Sequence, residues 1–214
     1  MATNRQCVIL GGGGHARVLI DCLRLAGLCE PIVILDSNRA LWGGIVDDVP
    51  VRGGDEELPR LFGEGVGLFA VGLGYGPRAK LFQMGLAAGL QPVTVIHPRA
   101  VVSARASIAA GTQIFAAAVI NAGAVVGENA VINTAAIVEH DCVLANHVSV
   151  ASGACLAGGV NVEEGAFIGA GSTVRQGLRI GAGAIVGAGA VVTKDVMPGR
   201  TVVGVPAREF QSSK

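Results

Sequence analysis

The sequence predicts an α/β N-terminal domain followed by an all-β solenoid: a small Rossmann-like βαβαβ unit, then a parallel β-helix. Three observations carry that prediction. An aliphatic residue recurs at every sixth position from Val102 to Val192, sixteen times without a miss. A second register two positions earlier is mostly small, as at Ala118, Ala124, Ala136, Cys142, Ser172 and Ala190. A glycine-rich turn beginning at Gly11 follows a short apolar run near the N-terminus. Neither a 3.6-residue helix nor a period-2 strand gives a period of six. A solenoid does, because each unit buries its apolar residue against its neighbours.

Composition bounds the function classes. The chain has 214 residues, 51% of them apolar and 15% charged, with a formal net charge of zero. That balance argues against disorder and against a broad basic surface for nucleic acid or anionic lipid. The 33 glycines do not fall at every third residue, so they are read as coil corners and not as collagen. The N-terminal segment lacks the apolar core of a signal peptide, and no apolar stretch is long enough to span a membrane. Cys7, Cys22, Cys29, Cys142 and Cys155 show no metal-ligand spacing and are expected to be buried thiols in a reducing, cytoplasmic setting.

Residues 6–10 read as a buried strand, and Gly11, Gly13 and Ala16 fit G-x-G-x-x-A at a strand-to-helix turn. A helix with Val18, Leu19, Cys22, Leu23 and Leu25 as its apolar face is expected to end at Gly27. A second strand over 31–35 ends in Asp36, followed by Ser37-Asn38-Arg39. In a nucleotide-binding fold such an acid contacts a ribose or base; in any fold it also caps a turn. Further elements are a strand or hairpin over 44–52, a short helix over 55–62 and a strand over 68–72. A second open turn with Gly72 and Gly74, a helix over 77–88 and a last strand over 92–96 complete the unit. Candidate ligand contacts in this domain are Gly11, Gly13, Gly14, His15, Asp36, Asn38, Arg39, Gly72 and Gly74. The unit is about half a dinucleotide-binding domain, which favours one nucleotide moiety over NAD. The alternative is a glycine turn with no ligand.

His97-Pro98 marks the junction, giving domains 1–97 and 98–214. Three six-residue units make one triangular coil, so residues 18 apart stack and Val102, Ile120, Val138, Leu156, Val174 and Val192 form one interior column. The pattern breaks after Val192, and Thr201 to Ala207 reads as a final strand leaving the solenoid before a polar tail, Gln211 to Lys214.

Glu139-His140-Asp141 interrupts the Ala/Gly/Val background. The residues 18 before and after His140 are Ala122 and Gly158, which leave room for the imidazole and for a ligand beside it. His147 lies seven residues on, with Asn129 and Gly165 as its stacking neighbours. An imidazole among carboxylates suits general-base work near pH 7. The alternative is that both histidines are polar surface residues. A metal site needs three or four converging ligands and is not expected here.

These motifs together resemble the sialic-acid O-acetyltransferase-like family of hexapeptide acyltransferases, which includes N-acetyltransferases of nucleotide-linked 4-amino sugars. The resemblance covers the Gly11–Arg17 turn, the Asp36 region, Val95-Ile96-His97-Pro98, the solenoid, Glu139-His140-Asp141 and Val203-Gly204-Val205-Pro206-Ala207. It implies a left-handed β-helix, a homotrimer, and acetyl-CoA in the groove between adjacent solenoids. The nucleotide sugar, GDP-perosamine in the first instance, is implied on the N-terminal domain. His140 maps onto the family's base. Where the family has a glutamate this sequence has Asp141, so either Asp141 or Glu139 is left to orient the imidazole. His147 maps onto a histidine near the cosubstrate. Gly158, Gly159, the coil position at Ala170, Arg175 and Lys194 are the further candidate contacts to coenzyme A, with a glycine N–H at 158 or 159 as oxyanion donor. Arg175, Arg179, Lys194 and Arg200 are the cations expected to help neutralise its phosphates. The alternatives are O-acetylation of a sialic acid or another sugar hydroxyl, and a nucleotide-binding scaffold without catalysis.

Overall fold

A computed structural model describes residues 5–210, so the polar tail from Gln211 lies outside the described residues. The chain divides into two compact units, Met1–Pro98 and Arg99–Lys214.

In the first unit, β1 (Gln6–Leu10) leads into α1 (Gly14–Leu25), and β2 (Glu30–Leu35) returns parallel to β1. A hairpin of β3 (Ile45–Val46) and β4 (Val49–Gly53) follows; its two turn residues, Asp47 and Asp48, both have positive φ. A 3-10 turn over Asp55–Glu57, α2 (Leu58–Gly63), β5 (Leu68–Val71), α3 (Arg78–Ala87) and β6 (Gln91–Pro92) complete a six-stranded sheet of order β3-β4-β2-β1-β5-β6. The expected single strand over 92–96 is two short strands, β6 and β7 (Val95–Ile96). The Val93 N–H carries the β5 ladder one bond past Pro92, donating to the Phe69 carbonyl at 2.9 Å. Helix α1 buries Ala16, Leu19, Ile20, Cys22 and Leu23, whereas Val18 and Leu25 are exposed. The apolar stripe is therefore narrower than the sequence suggested. Of the five cysteines, Cys7, Cys22 and Cys142 are buried, while Cys29 and Cys155 are only partly so.

In the second unit the period of six becomes three parallel ladders. One stacks Val101–Val102, Val119–Ile120, Ile137–Val138, Cys155–Leu156, Thr173–Val174 and Val191–Val192. The second runs from Ser107–Ile108 to Arg179–Ile180, and the third includes Gln113–Ile114 to Ile185–Val186. The second residue of each pair points inward. From Ile114 to Val192 these positions are at most 1% exposed, each contributing about 1.5–3 kcal/mol of burial. The small register fills the spaces between, and together they form one continuous core. Thr201–Val203 does not leave the solenoid: it pairs parallel with Ile185–Val186 as another rung, then turns back antiparallel onto Arg208–Glu209.

Most corners carry one residue in the left-handed region, and glycine usually supplies it, as at Gly123, Gly153, Gly159, Gly165 and Gly177. The exceptions are Ala117, Asn129, Ala135, Asp141 and His147, with φ between 52° and 62°. A side chain in that conformation costs about 1–2 kcal/mol, least for short polar residues. Two of the five strained positions are Asp141 and His147. Both belong to the candidate site.

Candidate active site

His140 occupies a corner between two ladders, exposed to solvent, with the left-handed Asp141 following it. Its Nδ1 lies 2.9 Å from Asp141 Oδ2. A carboxylate only accepts, so the pairing puts the ring proton on Nδ1 and leaves the Nε2 lone pair available. The Asp141 hydrogen bond, with the charges of Asp141 and Glu139, raises the His140 pKa above its ordinary value against a smaller opposing effect of burial.

The neighbouring coils are cut to fit these two side chains. A Cβ on Gly158 would lie 2.6 Å from His140 Cε1 and Nε2, and one on Gly123 would lie 2.4 Å from Asp141 Oδ1. Glu139 has a different partner: Asn121, one coil earlier, donates its amide N–H to Glu139 Oε2 at 2.8 Å. The choice between the two acids thus goes to Asp141 as the carboxylate on the imidazole. Asn121 was missed in the sequence, although its place 18 residues before Glu139 marks it as a stacking neighbour.

His147 sits on the next corner, one face of the triangle away, so a single chain does not bring it to His140. Its Nδ1 is 3.0 Å from Asn129 Nδ2, and Asn129 is fully buried. Gly159 is corrected as an oxyanion donor, because its N–H already donates to the His140 carbonyl at 2.9 Å. The Gly158 N–H meets no acceptor among the described residues. Ala170 lies at the remaining corner, away from His140. Down the edge from His140, Arg175 and Lys194 are exposed and make no ion pair among the described residues, whereas Arg179 is bound to Glu163 and Arg200 to Glu209. Lys194 borders a hollow of about 260 Å³ with Met197, Arg200 and Arg208. Cys142 is packed inward with its thiol raised by burial, unsuited to nucleophilic attack.

In the first unit, Asp36 knits the glycine-rich turn to the loop after β2. Its Oδ2 accepts from the Gly12 N–H at 2.6 Å and its Oδ1 from the Asn38 N–H at 2.7 Å. Asn38 in turn accepts from the Ala40 N–H, and the Arg39 guanidinium lies 5.4 Å from the Trp42 ring centre. Gly72 packs against the Gly11 carbonyl and Gly74 against the His15 ring, closely enough that neither position has room for a Cβ without displacement. Gly13 and Gly14 differ: both are exposed, neither has positive φ, and a Cβ there would touch nothing. Among the described residues no contact requires glycine at either position. Beside this turn lies a cavity of about 180 Å³, bordered by Gly11, Asp36, Ser37, Asp55 and Lys80 among others. A larger hollow of about 380 Å³, bordered by Arg5, Gln6 and Leu68, opens at the other ends of the strands. In open α/β sheets ligands bind outside the carboxyl ends, which favours the smaller cavity. Ser37, Asp55 and Lys80 were not among the sequence candidates, since only the fold gathers them.

Among the described residues no cluster of histidine, cysteine and acidic side chains is fit to hold a metal, and no helix is long and apolar enough to cross a membrane.

Residues 6–83 match the PglD N-terminal domain family, and residues 159–194 match the bacterial transferase hexapeptide family of six repeats. Among curated proteins, none matches the chain. Among solved structures, a histidine-to-asparagine variant of perosamine N-acetyltransferase from Caulobacter crescentus, in complex with CoA and GDP-perosamine, is 39% identical. The match covers 97% of each chain with a TM-score of 0.92. The acetyltransferase domain of PglB from Neisseria gonorrhoeae, in complex with acetyl coenzyme A, is 35% identical over 97% of this chain and 100% of that one, with a TM-score of 0.90. WeeI from Acinetobacter baumannii is 26% identical over 95% of this chain and 99% of that one, with a TM-score of 0.84. Identity at this level over nearly the full length of both chains places this protein in the family of left-handed β-helix, hexapeptide-repeat acyltransferases to which the Caulobacter perosamine N-acetyltransferase belongs.

Proposed function

We propose that the protein transfers acetyl from acetyl-CoA to the 4-amino group of a nucleotide-linked deoxyamino sugar, with GDP-perosamine as the substrate. The observation that carries the reading is His140, with Nδ1 tied to Asp141 and Nε2 open above Gly158. The Caulobacter relative with GDP-perosamine and CoA bound supports the substrate pair, and the Neisseria relative with acetyl coenzyme A supports the acyl donor.

Acetyl-CoA supplies a thioester carbonyl that an amine attacks only with its lone pair free. His140 Nε2 takes the amine proton and Asp141 stabilises the imidazolium that results; as the tetrahedral adduct collapses the C–S bond breaks, and the departing CoA thiolate takes that proton and leaves as the free thiol. In this reading the Gly158 N–H, which meets no acceptor among the described residues, donates to the oxygen that gains charge. Arg175 and Lys194, which make no ion pair among the described residues, offer positive charge to the phosphates of coenzyme A. Gly13, Gly14 and the α1 N-terminus take the diphosphate of the sugar nucleotide.

The active unit in this reading is a homotrimer. His140 and His147 stand on neighbouring corners of one coil, so a shared groove needs His147 of the partner subunit. Val101, Val125 and Val143 are 63%, 44% and 44% exposed on the outer faces, apolar surface that an adjacent solenoid covers. The free thiols fit a reducing, cytoplasmic compartment.

The test is release of free CoA thiol and product mass with GDP-perosamine as acceptor. His140→Ala and His140→Asn are expected to fold and assemble as the wild type does, with kcat lower by roughly 10²–10⁴-fold. A kcat close to wild type removes His140 from the role of base. Turnover only with a sugar hydroxyl supports O-acetylation instead, and absence of any CoA release supports the scaffold reading.

A further inference from the structure

Two thiols meet at the starting ends of β1 and β2, across the sheet from the glycine-rich turn. The two strands are parallel neighbours, with Gln6 opposite Glu30 and Cys7 opposite Pro31. The Glu30 N–H donates to the Arg5 carbonyl at 2.9 Å, which carries the pairing one step back. Alternate residues of a strand share a face, so Cys29, two before Pro31, lies on the same face as Cys7 and diagonal to it. The Cys7 sulfur lies 3.4 Å from the Val8 carbonyl, and its thiol is also turned to donate to the Cys29 sulfur.

The two sulfurs are not equivalent. Cys7 is fully buried in β1, between β2 and β5, and its bond to Cys29 together with burial holds its thiol well above the ordinary range. Cys29 is half-buried in the loop between α1 and β2. The Cys7 bond and the Arg5 charge hold its thiol below the ordinary value, against burial and the Glu30 charge. The thiolate is the reactive form, so Cys29 is the nucleophile of the pair and Cys7 the protonated neighbour. Cys155 is half-buried as well, yet burial and the Glu139 charge raise its thiol. A disulfide requires Cα atoms within about 7 Å. Cys29 stands outside β2, in a loop that turns at Gly27 with φ of 61°, where the chain can take up a small movement.

We propose that Cys7 and Cys29 form a peroxide-responsive thiol pair, in which Cys29 reacts with hydrogen peroxide and Cys7 resolves the product to a reversible intramolecular disulfide. The Cys29 thiolate attacks one peroxide oxygen, the O–O bond breaks, and the hydroxide released takes a proton from solvent to become water. The Cys7 sulfur then attacks the sulfur of the Cys29 sulfenic acid, the S–O bond breaks, and the departing hydroxide leaves with the Cys7 proton as a second water. Two thiols are oxidised to one disulfide and one peroxide is reduced to water. In a reducing compartment such a bond is transient, as in redox-sensing pairs. None of the residues assigned to acetyl transfer takes part, so the pair stands independently of that reading.

The experiment treats the full chain with hydrogen peroxide, blocks remaining thiols by alkylation, and follows intact mass and a peptide map with time. Wild type is expected to lose two hydrogens, to yield a Cys7–Cys29 linked peptide, and to recover on addition of dithiothreitol. Cys29 should react roughly 10-fold faster than Cys155 in the same molecule. Cys29→Ser should abolish the fast phase and leave Cys7 reduced. Cys7→Ala should keep the fast phase but leave a sulfenic acid on Cys29 that dimedone traps, with no linked peptide. Wild-type oxidation of Cys29 no faster than that of Cys155 overturns the proposal, as does accumulation of sulfinic acid on Cys29 while Cys7 stays alkylatable. Both of those outcomes are read on the unaltered chain, so a variant that fails to fold does not shelter the proposal.

Discussion

Gly158→Ala is the most direct probe of the space beside His140. The added methyl would stand 2.6 Å from Cε1 and Nε2 of the imidazole, so restoring an ordinary 3.4 Å contact displaces the ring by about 0.8 Å. Asp141 holds the other side of the ring at 2.9 Å, so the movement strains or breaks that bond. Misplacing a reacting group by about 1 Å costs on the order of 10²-fold in rate. The expected loss in kcat is roughly 10- to 100-fold, about 1.4–2.7 kcal/mol of transition-state stabilisation. Gly158 does not have positive φ, and His140 is a solvent-exposed neighbour, so stability should change by no more than about 0.5 kcal/mol. Gly153→Ala is the counterpart. Its φ is +67° and a Cβ there touches nothing, so it should lower stability by about 1–2 kcal/mol and leave kcat alone. The assay pairs initial rates of CoA thiol release with thermal melts of both variants. Wild-type kcat in Gly158→Ala refutes the argument that the open space above Gly158 serves the imidazole.

The acid limb of the kcat profile should lie above the ordinary histidine pKa, because the Asp141 hydrogen bond raises it. Asp141→Asn should move that limb to lower pH, and Glu139→Gln should move it less, since Glu139 acts only through its charge; equal shifts would contradict the assignment of Asp141 to Nδ1. The same pairing contributes stability that is fully present below the unfolded histidine pKa and fades as pH rises through the raised folded value, an effect screened by the exposure of both groups. Asp36→Ala removes the acceptor of two backbone N–H groups and should lower stability by roughly 1–3 kcal/mol in chemical denaturation; an unchanged midpoint would mean the turn holds itself without Asp36.

The period of six determined the solenoid from sequence because an interior one residue wide leaves no other way to bury an aliphatic at every sixth position. Stacking by 18 then named Gly158 as the neighbour of His140 and was sufficient to name Asn121 as the neighbour of Glu139. The corner residues carried a further signal: where glycine is the rule, Asp141 and His147 stand at positive φ. The division of labour between the two acids was not legible, because Glu139 and Asp141 flank His140 symmetrically in sequence. Only the coil geometry turns one carboxylate toward Nδ1 and the other toward Asn121. The same holds for Gly159, whose N–H the ladder takes up for the His140 carbonyl. In the first unit the G-x-G-x-x-A spacing and Asp36 could be read directly, since a tight turn after a strand is a local demand on residue type. Asp55 and Lys80 could not. They come from a turn after β4 and from helix α3, 25 residues apart, and meet only because the parallel sheet gathers its carboxyl ends at one edge. Local backbone demands and repeat period were therefore set by the sequence alone, while side-chain pairing across coils and strands was decided by the tertiary structure, where contacts depend on direction as well as on order along the chain.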